Sequence, residues 1–188
     1  MARIVVTEFV SLDGVMEDPG GAEKYEHGGW TMPYWNDEIA KFKLDELMAS
    51  NGLLLGRVTY EGFAAAWPSM TDVFADRMNS MPKYVVSSTL DTLSWNNSRR
   101  LDGDLATEVA GLREQPGGDI LVAGSASVAR QLLHLGLVDE LRLVVYPVVL
   151  GAGKRLYGED SYTKLDLVEN KTTPTGAVLM VYRPASQS

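Results

Sequence analysis

Three short segments of the chain carry glycine or small hydroxyl side chains directly after apolar runs. The segments are residues 56–60 (Gly-Arg-Val-Thr-Tyr), 87–89 (Ser-Ser-Thr) and 123–127 (Ala-Gly-Ser-Ala-Ser). If the apolar runs are buried strands of an α/β sheet, the segments lie at the carboxyl ends of those strands. Backbone N–H groups, hydroxyls and helix starts converge there and can bind phosphate. The three segments therefore predict a site for a ligand with several phosphates.

The composition excludes several classes of function. The formal net charge is −8, whereas a nucleic-acid-binding protein needs a basic surface, so neither nucleic acid nor an anionic membrane is an expected partner. The chain contains no cysteine, which excludes disulfides, thiolate nucleophiles and cysteine-based zinc sites. The amino-terminal residues lack a signal-peptide pattern, and no apolar run approaches the roughly 20 residues of a membrane span. We therefore expect a cytoplasmic location.

The order of elements predicts the fold class. With 188 residues, 45% of them hydrophobic, we expect one domain over residues 1–188. Apolar and β-branched runs predict strands at residues 3–10, 53–55, 83–86, 119–122 and 141–146. Helical periodicity and capping residues predict helices at residues 36–48, 58–66, 104–115 and 125–135. Residues 164–172 and 177–182 predict a hairpin, so the fold is α/β, with a mixed, mostly parallel sheet and an antiparallel carboxyl-terminal hairpin.

The three segments, in this order along the chain, resemble those of the dihydrofolate-reductase-like superfamily. Residues 11–14 (Ser-Leu-Asp-Gly) and the block 138–157 look more specifically like the reductase domain of bacterial riboflavin biosynthesis and its stand-alone relatives. The resemblance implies a single-domain, three-layer fold and an enzyme that transfers hydride from NADPH to a small heterocycle. Hydride chemistry of this kind requires neither a metal nor a thiol. By the same analogy we expect a homodimer formed through the tail.

The resemblance assigns the first segment to the cofactor phosphates. Gly56 permits a close approach to the backbone, Arg57 supplies a positive charge, and the Thr59 hydroxyl can donate a hydrogen bond. An ordinary strand exit followed by a surface arginine is the alternative interpretation.

The other two segments complete the cofactor site that the resemblance implies. Ser88 and Thr89 would meet the ribose 2′-phosphate, which favours NADPH over NADH. Gly124, Ser125 and Ala126 would hold the pyrophosphate at the start of a helix. A simple turn and a serine-capped helix are the alternative interpretations of these two segments.

Three carboxylates are candidates for the proton donor. Dihydrofolate reductases use a carboxylate near the start of their first helix, and this position corresponds to Glu38, with Asp37 beside it. Both could equally be first-turn acids that interact with the helix dipole. Asp13, in the turn after the first strand, is the rival candidate, and water could also supply the proton.

Substrate contacts are expected from two further groups of residues. Trp30 and Trp35, in or beside a long loop, could stack on a flat ring, although aromatic residues in loops commonly cover the core. Lys154 and Arg155, in a glycine-containing segment, could form an anion nest for a substrate phosphate. A plain basic turn is the alternative interpretation.

The function that follows is NADPH-dependent reduction of a pyrimidine- or pteridine-type heterocycle. 5-Amino-6-(5-phosphoribosylamino)uracil, in riboflavin biosynthesis, is the most specific candidate substrate. A true dihydrofolate reductase is an alternative, but it is disfavoured because residues 81–83 (Met-Pro-Lys) stand where those enzymes carry a folate-binding arginine. A non-catalytic NADPH-binding or sensor protein is the other alternative.

Overall fold

The computed structural model describes residues 1–159 and 161–185. These residues contain eight strands: β1 (Ile4–Ser11), β2 (Ser50–Gly56), β3 (Lys83–Val86), β4 (Ser98–Leu101), β5 (Asp119–Ala123), β6 (Glu140–Tyr146), β7 (Leu165–Thr172) and β8 (Val178–Pro184). The same part of the chain contains five α-helices: α1 (Asp37–Met48), α2 (Arg57–Ala66), α3 (Val73–Ser80), α4 (Leu105–Arg113) and α5 (Ala126–His134).

All eight strands form one sheet in the order β4-β3-β2-β5-β1-β6-β8-β7. Neighbouring strands are parallel from β4 to β6, whereas β8 is antiparallel to β6 and β7 is antiparallel to β8. The α/β fold with a mostly parallel sheet and an antiparallel carboxyl-terminal hairpin is therefore confirmed.

The helices cover both faces of the sheet. Successive side chains of a strand point to opposite faces, and in β1 the side chains of Ile4 and Val6 pack in one apolar cluster with α4 and α5. The side chain of Val5 packs in a second cluster with residues of α1, α2 and α3. The sheet thus lies between two helical layers, which is the three-layer arrangement that the resemblance implied.

One α-helix, α3, and one strand, β4, escaped prediction from the sequence. The β4 segment reads Ser-Arg-Arg-Leu, which is too polar to indicate a strand. Tertiary contacts around Lys83 hold this edge in place: its backbone N–H donates to the Asn97 carbonyl at 2.8 Å, and its buried Nζ donates to the carbonyls of Asn79 and Asn96 at 2.7 and 3.1 Å. Burial lowers the pKa of Lys83 to about 8.

The long loop before α1 is held by its own polar groups. The buried Asp18 carboxylate accepts hydrogen bonds from the backbone N–H groups of Glu23 and Tyr25 at 2.9 and 3.2 Å. At the end of the loop, Asn36 caps α1 as predicted, because its side chain accepts from the N–H groups of Glu38 and Ile39. Within residues 1–159 and 161–185, none of the helices is both long and apolar enough to cross a membrane.

Candidate functional site

A large cleft opens at the carboxyl ends of β1, β2, β3 and β5. Its volume is about 1670 Å³. Its wall includes residues of all three segments that the sequence predicted to bind phosphate (56–60, 87–89 and 123–127), which we call the phosphate-type segments. Every residue predicted to bind the cofactor lines it: Gly56, Arg57, Thr59, Ser88, Thr89, Gly124, Ser125 and Ala126. The topology therefore brings together residues that are nearly 70 positions apart in the chain.

The first and third segments touch each other directly. The Ser125 hydroxyl accepts a hydrogen bond from the Gly56 N–H at 2.7 Å. A Cβ atom added to Gly124, whose φ is +68°, would lie 2.9 Å from the Thr59 Cγ2 atom. Glycine at 124 is thus required both by the backbone conformation and by the close approach of the two turns.

The expected serine cap of α5 is wrong. Ser125 precedes the helix in a left-handed conformation, with φ 65° and ψ 63°, and its side chain makes no capping hydrogen bond within the described chain. Its hydroxyl bonds to the Gly56 N–H instead. The serine therefore ties two turns together, and the first-turn N–H groups of α5 are left without a side-chain cap.

Two helix starts meet at the cleft without competing acids. α2 begins at Arg57 and, like α5, has neither a side-chain cap among the described residues nor an acidic residue in its first turn. The N–H groups and positive dipole ends of both helices can therefore interact with an anion. Arg57 lies half-exposed beside them and pairs with Glu61 at 3.0 Å.

The loop after β3 supplies hydroxyl groups at another part of the cleft. The Ser87 hydroxyl accepts from the backbone N–H groups of Thr89 and Leu90 at 3.2 and 3.1 Å, which orders the turn. Ser88 and Thr89 are exposed. Arg100, on β4, also lines the cleft and pairs with Asp102 at 2.5 Å. It escaped prediction because β4 itself did.

The two tryptophans predicted to contact substrate lie in different environments. Trp35 lines the cleft, is 46% exposed, and contacts the Phe9 ring edge-on at 6.0 Å. Trp30 is buried, packs edge-on against Tyr146 at 5.4 Å, and donates from its indole N–H to the Glu17 carbonyl at 2.8 Å. Trp30 is not among the residues described as lining the cleft, so its observed contacts are those of a core residue.

The segment predicted as an anion nest binds carboxylates of the protein itself. Asp13 accepts from the backbone N–H groups of Leu150 and Gly151 at 3.1 and 2.8 Å. Arg155 donates to the Asp13 and Gly151 carbonyls. A hydrogen bond from the Ser11 hydroxyl is the largest cause that lowers the pKa of Asp13 to about 2. Neither Asp13 nor Arg155 is among the described residues that line the cleft.

Lys154 reaches the cleft rim but has acidic neighbours. Its ammonium group lies 3.6 Å from Glu17 and 3.5 Å from Glu23, and its backbone N–H donates to the Glu17 carboxylate at 2.8 Å. A substrate phosphate at this point would compete with two carboxylates for one lysine.

The two acids predicted on α1 lie at the start of that helix. Asp37 is exposed, and the Glu38 carboxylate pairs with Lys171 of β7 at 3.3 Å. Neither residue is among the described residues that line the cleft. The structure therefore places all three predicted proton donors, Asp37, Glu38 and Asp13, outside the cleft wall.

A buried acid on the central strand of the sheet lies inside the cleft and escaped prediction from the sequence. Glu8 of β1 lines the cleft with only 4% of its surface exposed. Its Oε2 atom accepts from the Gly124 N–H at 3.1 Å, and its Oε1 atom has no partner among the described residues. Burial raises the pKa of Glu8 to about 8. The available signal was a lone charged residue within a strand of otherwise uncharged residues.

A second buried carboxylate near it is fully paired. Glu46 of α1 forms a salt bridge with Lys43 and accepts from the Thr7 hydroxyl at 2.8 Å. The Lys43 ammonium also donates to the Thr7 hydroxyl at 2.7 Å and lies 5.0 Å above the Phe9 ring. All four residues line the cleft, so part of its floor is polar and charged.

The opposite wall of the cleft is apolar and rich in aromatic rings. Side chains of α2, of the turn after it and of α3 form this wall: Phe63, Trp67, Met70, Val73, Phe74 and Met78. The Trp67 and Phe74 rings lie 5.2 Å apart. This surface suits a flat, largely apolar ring system. No cluster of potential metal ligands occurs in the described part of the chain.

Comparison with known protein sequences finds a family model and a relative that each match most of the chain. Residues 2–179 match the family model described as the RibD C-terminal domain. The chain is 31% identical over 186 residues to the uncharacterized protein YyaP of Bacillus subtilis, a match that covers 96% of this chain and 94% of YyaP.

Two solved structures share the fold. Dihydrofolate reductase from Enterococcus faecalis, complexed with NADP(H), superposes with a TM-score of 0.64 at 15% identity, over 97% of this chain and 96% of that one. A deaminase and 5-amino-6-(5-phosphoribosylamino)uracil reductase from Thermotoga maritima gives a TM-score of 0.67 at 16% identity, over 98% of this chain and 57% of the longer enzyme.

Proposed function

The chain belongs to the RibD C-terminal domain family, and on that basis we propose that it is an NADPH-dependent reductase of a pyrimidine- or pteridine-type heterocycle. The observation that carries the proposal is the meeting of three phosphate-type segments and two uncapped helix starts in one cleft. A cleft of this size can hold a dinucleotide together with a second ligand.

The residues present fit NADPH. The N–H groups at the starts of α2 and α5 and the Arg57 guanidinium would hold the pyrophosphate. Ser88, Thr89 and Arg100 would hold the ribose 2′-phosphate, which favours NADPH over NADH. The Enterococcus enzyme of the same fold was solved with NADP(H), which supports this choice.

The remaining part of the cleft would hold the substrate. The aromatic wall of α2 and α3, with Trp35, would pack against a flat ring. The Lys43 ammonium, which uses two of its three N–H groups on Glu46 and Thr7, would offer the third to the polar edge of that ring. NADPH would supply the hydride, so the protein has to position the ring, exclude water and deliver one proton.

Within this class, 5-amino-6-(5-phosphoribosylamino)uracil is the most specific candidate substrate, since the Thermotoga enzyme is named for its reduction. Its phosphate would have to displace Glu17 or Glu23 from Lys154, because Asp13 already accepts from the Leu150 and Gly151 N–H groups. A substrate without a phosphate at this position meets no such competition.

A non-catalytic NADPH-binding protein is the second candidate function. One observation favours it: none of the predicted proton donors Asp37, Glu38 and Asp13 is among the described residues that line the cleft. Binding of NADPH without turnover of any heterocycle would support it.

We also propose a homodimer formed through the tail. β7 is an edge strand with exposed side chains on both of its faces, and Leu167 and Val168 are each 49% exposed. Exposed edges of this kind favour pairing with another chain. Light scattering after gel filtration should give twice the monomer mass, and a monomer at micromolar concentration would contradict the proposal.

The first experiment is a tryptophan-fluorescence titration with NADPH and, separately, with NADH. We expect saturable binding that prefers NADPH. Arg57→Ala should weaken NADPH binding by about 10- to 150-fold, which corresponds to the roughly 1.5 to 3 kcal/mol of a charged hydrogen bond. The matched control is Arg99→Ala, which removes an exposed arginine that does not line the cleft.

The outcomes separate the candidate functions. Failure of the wild-type protein to bind either nucleotide would overturn the proposed function. If NADPH binds, oxidation of NADPH is followed at equal concentrations of dihydrofolate, other pteridines and aminopyrimidines with and without a ribosyl phosphate. Turnover of any member establishes the reductase, and the preferred member identifies its substrate class.

A further inference from the structure

The position of Glu8 combines three features that are rarely found together. It lies on the central strand β1, it is 4% exposed, and it lines the cleft. Only one of its two oxygens is used, by the Gly124 N–H at 3.1 Å, and the buried Oε1 atom has no partner among the described residues. A carboxylate with an unpartnered buried oxygen is costly, because burial disfavours the charged form unless it is paired.

The positive charges that the helices bring to the cleft wall interact with other groups. Lys43 of α1 acts to lower the pKa of Glu8, but it forms its salt bridge with Glu46, whose negative charge acts to raise that pKa. Arg57 of α2 pairs with Glu61, and Arg130 of α5 donates to the Ala126 carbonyl at 3.2 Å. Glu8 is therefore left without a salt-bridge partner within the described chain.

A ligand in the cleft would favour the neutral form of Glu8 further. An anionic ligand repels a carboxylate, which disfavours the charged form. Burial already holds the pKa of the unliganded Glu8 at about 8. The carboxylic acid form also has a use, since its O–H can donate a hydrogen bond where the carboxylate can only accept.

We propose that Glu8 is a neutral carboxylic acid in the cofactor complex, that its free oxygen carries a proton into the cleft, and that cofactor binding is therefore coupled to protonation of Glu8. The inference rests on the proposed function, because the coupled ligand is NADPH. A neutral Glu8 would select ligand groups that accept a hydrogen bond, such as a carbonyl oxygen or a ring nitrogen, over cationic ones.

The test is the dissociation constant of NADPH between pH 6.5 and 9.5. For the wild-type protein the constant should stay level up to about pH 8 and then rise by about tenfold per pH unit, because binding requires a proton. Calorimetry in two buffers of different ionisation enthalpy should show proton uptake on binding above pH 8. The second pKa of a phosphate monoester is about 6, so titration of the NADPH 2′-phosphate falls below this range.

Glu8→Gln is the diagnostic variant, since it keeps the shape and an acceptor for the Gly124 N–H but cannot ionise. Its dissociation constant should be level over the whole range, with no proton uptake. Glu114→Gln removes the same charge from an exposed position outside the cleft and should behave like the wild type. Lys83, whose pKa is also about 8, is present in the wild type and in both variants, so its titration does not contribute to the difference between their pH profiles. If the glutamine variant fails to fold, Glu8→Met serves in its place.

The possible results are distinct. A wild-type dissociation constant that stays level to pH 9.5, or one that rises equally in the Glu8→Gln variant, overturns the inference and leaves the proposed function intact. Absence of NADPH binding at every pH overturns both. A rise in the wild type and in Glu114→Gln, with a level profile in Glu8→Gln, supports the inference.

Discussion

Buried acids at the two ends of the central strands differ in the partners that their carboxylates have. At the amino ends of β5 and β6, Asp119 and Glu140 are buried, and Arg3 donates to both at 2.7 to 2.9 Å. Arg142 and Arg183 also bond to Glu140. Toward the carboxyl end of β1, Glu8 is equally buried but has one backbone N–H as its partner.

The pKa values follow this difference. Burial acts to raise the pKa of Glu140, but hydrogen bonds and charge from its arginine neighbours outweigh burial and lower it. At Glu8, burial is the largest cause and raises the pKa to about 8. Paired acids at one end stabilise the sheet, whereas the incompletely paired acid lies in the cleft, where perturbed titration commonly accompanies function.

Replacing an arginine that pairs with the buried acids at the amino ends of β5 and β6 should cause the largest loss of stability. The Arg142 guanidinium lies 2.6 Å from Glu140 and 3.9 Å from Glu46. Arg142→Met would remove positive charge from both buried carboxylates, and we expect a loss of about 3 to 5 kcal/mol in the free energy of unfolding. Urea unfolding at pH 7 measures it. Arg183→Met is the control, since Arg183 contacts the same carboxylate at 2.9 Å but is 53% exposed, and should cost at most about 1 kcal/mol. Equal losses in the two variants would contradict a special role for the buried arginine.

Changing Glu8 should alter how stability depends on pH. The pKa of Glu8 is about 8 in the folded protein and ordinarily 4.5, so between these values the folded state keeps a proton that the unfolded chain has lost. The associated stability is complete below pH 4.5 and is lost as the pH rises through 8.

Glu8→Gln removes this dependence. Relative to the wild type, the variant should gain about 3 to 4 kcal/mol between pH 5 and pH 9. This is less than the full linkage at about 1.4 kcal/mol per pKa unit, because at pH 5 the unfolded chain has already lost most of this proton. Urea unfolding of both proteins, with Glu114→Gln as control, measures the difference. A constant difference across this range would show that the pKa of Glu8 is ordinary.

Asp13 should give the smallest effect, because its partners are loop N–H groups and one hydroxyl. Asp13→Asn would lose part of its bonding to Ser11, Leu150 and Gly151, at about 1 to 2 kcal/mol. The pKa of Asp13 is lowered to about 2, so its stabilising effect is present above its ordinary value of 3.8 and is lost as the pH falls through 2. Thermal unfolding at pH 7 and at pH 2.5 should show a smaller gap between variant and wild type at the lower pH.

Local sequence determined most of the fold. Apolar runs and capping residues predicted every α-helix except α3 and every strand except β4. Burial of a strand and capping of a helix depend largely on residues that are neighbours in the sequence. The same reasoning placed the three phosphate-type segments at strand ends, and the topology gathered them in one cleft. Asn36 caps α1 because its short side chain can reach the first free N–H groups of that helix.

Only the tertiary structure decided the roles of individual polar side chains. Ser125 looked like a helix cap, but its hydroxyl meets Gly56, 69 residues away. Asp13 looked like a catalytic acid, yet it accepts from N–H groups near residue 150. Glu8 looked like one position of a strand, and its burial beside Gly124 exists only once β1 and β5 pair. Ionisation and hydrogen bonding depend on what surrounds a group in space, and the partners of these three groups come from distant parts of the chain.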